Sequence, residues 1–170
     1  MKNLDIFMYF FLITVMISFI SCKKVFDPPT EIIYYSSFEK ELDLNGWDGL
    51  SAENLRDDAP ESGGEKSIFI SGGCVVPHAK YTLKAVGVEQ VVTFSCYGKN
   101  LSRGGTAFIT LDDEFNIDIS IQVSDSTWNF YECKESIIWP ANRDLSICLI
   151  SGGYVSSSML IDELKVTKIR

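Results

Sequence analysis

The chain reads as an all-β domain made of two packed antiparallel sheets, and three features carry that reading. Short segments of alternating apolar and polar residues recur along almost its whole length. Gly, Asp, Asn and Ser close nearly every one of them. Past the N-terminal apolar run, almost nothing repeats with the 3.6-residue period of a helix. Many short strands at such spacing pack as a two-sheet sandwich or a barrel.

Met1-Lys2-Asn3 is a short basic start, and Ile6 to Ile20 is apolar apart from Thr14 and Ser18. Ser21 precedes Cys22, with Lys23 and Lys24 directly after. This arrangement resembles a type II signal peptide, whose cut leaves the cysteine thiol free for lipidation. The competing reading is a transmembrane anchor, which needs about 20 apolar residues, and this run is shorter. The expected organisation is a leader over 1–21, a lipidated tether over 22–31 stiffened by Pro28-Pro29, and one domain over 32–170. The expected location is the Gram-negative cell envelope, lipid-anchored at the outer membrane through Cys22.

In the domain, Ile32 to Phe38 opens the strand series, and Lys66 to Ser71 follows after a turn-rich stretch. Val91 to Tyr97 sets Val92, Phe94 and Cys96 against Thr93, Ser95 and Tyr97. The clearest alternation is Ile117 to Val123, with every odd residue apolar. Thr106 to Leu111, Thr127 to Cys133, Leu145 to Leu149 and Met159 to Thr167 complete the set. Gly72-Gly73, Gly104-Gly105, Asp112-Asp113-Glu114 and Gly152-Gly153 mark turns.

The net charge of −8 and the lack of a basic stripe argue against nucleic acid as a partner. With Cys22 assigned to lipid, Cys74, Cys96, Cys133 and Cys148 remain, an even set in an oxidising compartment. Their pairing is open, and buried free thiols are the alternative. No C-x-x-C pair supports zinc or thioredoxin-type chemistry.

Local signatures fall in a specific order. Phe38-Glu39 leads to Leu42, Leu44 and Gly46-Trp47, then to Asp58-Ala59-Pro60-Glu61-Ser62-Gly63-Gly64-Glu65-Lys66-Ser67. Thr127-Trp128 comes later, and Leu160-Ile161-Asp162-Glu163-Leu164-Lys165-Val166 closes the chain. Together these resemble the jelly-roll carbohydrate-binding modules of families 4, 9 and 22, over essentially all of residues 32–170. The resemblance implies a jelly-roll sandwich, a fold that also serves adhesins and plain spacers.

Parity in the last strand sets Asp162 on one row with Leu160, Leu164 and Val166. A carboxylate on a core-facing row is costly unless a cation or several donors neutralise it. The resembled modules hold a structural calcium ion between an acidic residue of the first strand and an aspartate of the last. Glu39 and Asp162 stand at the matching positions, and the Ser62 to Lys66 turn is expected to add carbonyls. The alternative has Asp162 bonded to backbone amides and Glu39 solvated.

Catalytic chemistry is poorly represented. His78 is the only histidine and follows Pro77, with no Gly-x-Ser-x-Gly elbow to accompany it. Asp112, Glu114, Asn116 and Asp118 share a parity that a glycosidase would use, yet they read better as a hairpin turn. The expectation is therefore a non-enzymatic glycan binder, with a structural or docking subunit as rival and a glycosidase third. Trp47 and Trp128 are assigned to the core. Tyr97 and Tyr131, on outward parity, and Trp139 and Tyr154, in loops, form the expected sugar platform, with Gln122 and Asp118 as hydroxyl partners.

Overall fold

A computed structural model describes residues 30–72, 79–111, 116–152 and 156–169. The leader, Cys22, Cys74, His78, the Asp112-Asp113-Glu114 turn and Tyr154 lie outside the described residues.

The strands are β1 (Thr30–Ser36), β2 (Trp47–Asp48), β3 (Leu55–Arg56), β4 (Ser67–Ser71), β5 (Ala79–Leu83), β6 (Gln90–Ser102), β7 (Gly105–Thr110), β8 (Ile119–Val123), β9 (Asn129–Glu132), β10 (Ile137–Trp139), β11 (Leu145–Ser151) and β12 (Ser158–Ile169). They form a seven-stranded sheet in the order β10-β6-β12-β4-β3, with β1 added to β12 and β9 to β6. The second, five-stranded sheet runs β2-β5-β11-β7-β8. Every ladder is antiparallel. The all-β sandwich expected from the alternation is the observed architecture.

Alternation places the core. Ile119, Ile121 and Val123 of β8 join Leu145, Ile147 and Leu149 of β11 on the inner face of the smaller sheet. Val92, Phe94 and Cys96 of β6 meet them from the larger sheet, with Ile68 and Ile70 of β4. Trp47 is buried as expected, and its indole N–H donates to the Tyr34 hydroxyl at 2.9 Å. Cys96, Cys133 and Cys148 are free and buried, so no disulfide joins any two of these three. Burial pushes the Cys96 thiol up to about 12, which makes it an unreactive small hydrophobe.

Strand β12 departs from the simple alternation in a way that shapes the functional surface. Met159 and Ile161 face the core before a register shift between Asp162 and Lys165, and Leu164 and Val166 face it afterwards. This β-bulge, with Glu163 at φ +49°, reverses the inward parity. Asp162 therefore stands with Leu160 on the outer face, opposite Tyr97 of β6, instead of sharing a row with Leu164 and Val166. The same point is where β12 changes partner on its other flank. Its first half pairs with β4 through Ile161, and its second half pairs with β1 from Leu164 onward. Neither strand covers Asp162.

Candidate functional site

The gap at Asp162 is filled by the segment between β3 and β4, residues 57–66, which crosses the outer face of the larger sheet as a strap. Its attachments are specific. Asp58 accepts the Lys99 ammonium at 2.7 Å and the Trp128 indole N–H at 2.8 Å, while its backbone carbonyl accepts the Ser67 hydroxyl at 2.6 Å. Desolvation raises the Asp58 pKa, but the bonds from Lys99 and Trp128 outweigh it and leave the carboxyl below its ordinary range. Lys66 adds an ion pair to Asp57 at 3.1 Å.

The far end of the strap closes on two carboxylates. Glu39 lies just past β1, next to Phe38, which turns into the core at φ +54°. Its Oε1 accepts the Glu65 and Lys66 amides at 3.1 Å, and its Oε2 also accepts Glu65 at 3.1 Å. The turn thus presents amides to Glu39 where carbonyls were expected. Glycine is required at both neighbouring positions. A Cβ on Gly64, whose φ is +84°, would fall 2.3 Å from Glu39 Oε1, and one on Gly63 would fall 2.2 Å from Asp162 Oδ2.

Asp162 is 0 % exposed. Its Oδ1 accepts the Glu163 amide at 2.7 Å, but Oδ2 has no partner. Burial pushes the carboxyl up to about 7, and the nearby charges of Glu163 and Glu39 add to that. The Glu163 carboxylate is itself engaged outward, accepting from Tyr35 at 2.5 Å and Lys165 at 3.0 Å. Among the described residues no three acidic, histidine or cysteine side chains converge on a metal position. The orphaned Asp162 Oδ2 is the one feature here that suits a hard cation such as calcium, since Glu39 and Asp162 Oδ1 already accept backbone amides.

At the strap's near end lies a groove of about 500 Å³. Residues 59–62 form one wall, and Tyr97, Thr127 and Trp128 form the other. Phe130, 47 % exposed, extends the aromatic surface, with its ring centroid 5.3 Å from that of Tyr97. Two rings and Pro60 thus border one recess, with Phe130 packed behind Tyr97.

Several expected site residues are placed differently. Tyr97 is on the outer face as expected, but β9 has the opposite parity to the one expected. Tyr131 pairs with Cys96 and packs against the core, whereas Phe130 pairs with Tyr97 on the outside. Both rows of β9 are apolar enough to face inward, so only its pairing with β6 decides. Trp128, expected in the core, is consequently a groove wall. Trp139 is 2 % exposed, and its indole donates to the Arg143 carbonyl at 2.6 Å, so it is a core residue and offers no ring to a ligand.

Tyr131 instead borders a second groove, of about 480 Å³, between the edges β8 and β9, together with Asp118 and Gln122. Its hydroxyl is already occupied, donating to Asp125 at 2.6 Å and accepting the Asp125 amide at 3.0 Å. Gln122 is bonded to Thr106 and to the Gly105 carbonyl, and Asp118 accepts the Leu111 amide. The structure therefore separates Tyr97 from the Tyr131, Asp118 and Gln122 group. Trp128, Pro60 and Asp58 are the residues that sequence reasoning missed.

No protein-family model matches the chain, and no curated protein matches it. Solved structures with the same fold include the CBM22-1 xylan-binding domain of Paenibacillus barcinonensis Xyn10C, 18% identical, with a TM-score of 0.59 over 84% of this chain and 97% of that one. The C-terminal family 22 module of Clostridium thermocellum Xyn10B is 14% identical, with a TM-score of 0.53 over 81% and 94% of the two chains. The module CBM6cm-2 of Cellvibrio mixtus lichenase 5A, solved with cellotriose, is 10% identical, with a TM-score of 0.51 over 82% and 100%. The fold is the jelly-roll sandwich of these carbohydrate-binding modules.

Proposed function

We propose that this chain is a non-catalytic glycan-binding lipoprotein of the Gram-negative envelope, held by lipid on Cys22, that takes a sugar chain in the groove beneath the strap. The observation that carries this reading is the outward cluster of Tyr97, Trp128 and Phe130 beside Pro60. Flat rings match the apolar faces of pyranoses, and hydroxyls of Ser62, Thr127 and Tyr97 stand nearby for the sugar hydroxyls. The likeness to modules whose own ligands are xylan and cellotriose supports the same class of ligand here.

Two carboxyl groups flanking a bond are what glycoside hydrolysis needs. Among the described residues Glu61 is the carboxylate lining the groove, while Asp58 is committed to Lys99 and Trp128. Binding without hydrolysis is the function that supports. Calcium held by Glu39 and Asp162 belongs to the same reading, as a structural ion under the strap. The ligand is a neutral glycan, because Glu61 and the net charge of −8 disfavour uronates and sulfated chains.

A docking role has one observation of its own. Val91 and Ile138, paired across β6 and β10, stand exposed on the far half of the same sheet face, with the half-buried Ile169 of β12 beside Val91. A glycan array on the protein, with Trp128→Ala and Tyr131→Phe variants, separates the readings. Binding to neutral plant or microbial glycans that is lost in Trp128→Ala and kept in Tyr131→Phe is expected. Silence across the array would favour docking. Cys22→Ala is expected to release the protein from the membrane fraction, and unchanged partitioning would end the lipoprotein assignment.

A further inference from the structure

The strap is one short segment that serves both sites. Gly63, Gly64, Glu65 and Lys66 meet the carboxylates of Asp162 and Glu39, while Ala59 to Ser62 form a wall of the aromatic groove. A turn links the two parts, with the Gly63 amide donating to the Pro60 carbonyl at 2.9 Å. Pro60 also abuts the carboxylate end, since its ring would lie 2.6 Å from a Cβ at Gly63. Across the groove, the indole of Trp128 is tied to the strap through Asp58. The aromatic wall and the carboxylate gap are thus joined by only a few residues of backbone.

Asp162 Oδ2 is buried with no partner, so the strap is packed onto an uncompensated carboxylate. A cation there would supply the missing compensation and hold the strap against β12. We propose that calcium at Glu39 and Asp162 is positively coupled to glycan binding in the Trp128 groove, with the strap as the coupling element. This rests on the glycan-binding reading above. An ion that orders the strap meets in advance part of the ordering cost the sugar would otherwise bear. Linkage makes the effect reciprocal, so bound glycan tightens calcium binding by the same factor.

The test uses metal-stripped protein and calcium alone, followed by a neutral xylo-oligosaccharide. Calcium is expected to shift the Trp128 indole N–H resonance and to slow its hydrogen exchange several-fold. The Trp139 indole, bonded to Arg143 on another part of the sandwich, should stay unchanged. Glu39→Gln and Asp162→Asn should each abolish the response, and two variants guard against one failing to fold. Calcium should then tighten oligosaccharide binding by about tenfold, within the usual range of coupling between sites. A calcium-dependent rise in melting temperature with an unmoved Trp128 indole would overturn the coupling, and so would absence of any calcium effect. A Trp128 response to calcium with no sugar bound in either state would uphold the coupling between metal and groove and end the glycan reading instead.

Discussion

The outer face of the larger sheet has two halves that follow opposite rules. In the strap half, Asp162, Tyr97 and Trp128 lie under or beside residues 57–66, with an unpartnered carboxylate oxygen and two rings lining one recess, Phe130 packed against Tyr97. In the other half, about 20 Å away along β6, Val91 and Ile138 stand exposed beside the half-buried Ile169, Thr93 and Thr167. Ile138 is 56 % exposed there, and the buried polar atom without a partner at that end, the amide oxygen of Gln90, sits on the residue next to Val91 and carries no charge. The strap half retains a buried unpartnered carboxylate oxygen under a turn that only glycine allows, the pattern expected of a ligand site and not of a covering surface. Substitutions in the two halves should therefore behave differently.

The largest contrast is expected from two glycines with nearly the same backbone. Gly64 has φ +84° and Gly87 has φ +77°, but a Cβ meets Glu39 at the first and open space at the second. Gly87→Ala should cost about 1 kcal/mol from conformation alone, whereas Gly64→Ala should cost roughly 3 kcal/mol or more, read from urea unfolding. Equal costs would mean that the strap yields freely and that the carboxylate cradle is not a built feature.

The pH dependence comes next in size. Asp162 is raised in the folded state, so its favourable contribution is complete below the unfolded value near pH 4 and is lost as pH climbs through about 7. Metal-free protein should lose at most about 4 kcal/mol of stability over that window. Asp162→Asn should flatten the profile, and saturating calcium should remove or reverse it. A metal-free protein equally stable at pH 5 and pH 8 would remove Asp162 from the account.

Tyr131→Phe should cost about 1 kcal/mol through its lost bonds to Asp125 and leave sugar binding unchanged. The smallest effect belongs to the uncovered half, where Ile138→Ser should stay within about 0.5 kcal/mol of wild type in thermal melts. A large loss of stability there would show that these apolar residues are packed in solution.

Much of the fold was legible because alternation is a local signal. The inward rows of β8, β11 and most of β6 are written in consecutive residues, and the bordering turns carry Gly or Asp. What escaped depends on pairing between strands. Nothing in Asp162-Glu163 announces the bulge that turns Asp162 outward, because the φ of +49° falls on a glutamate and not on a glycine. Trp128 and Phe130 are as apolar as any core pair, and their outward direction follows only from Tyr131 lying across from Cys96. Trp139 before Pro140 looks like a loop ring, yet pairing with Gln90 seats it in the core. The Gly63-Gly64 turn was visible, but its role as a strap over two carboxylates required β1 and β4 to leave β12 uncovered at one point.

If a glycan binds on the strap half of the sheet face, the three tryptophan indoles report on it directly. A neutral oligosaccharide titrated into calcium-loaded protein should move the Trp128 indole N–H resonance along a saturable curve while those of Trp47 and Trp139 remain fixed. A saturable shift confined to the amides of β8 and to Tyr131, with Trp128 unmoved, would place the site in the groove between β8 and β9 and contradict the account.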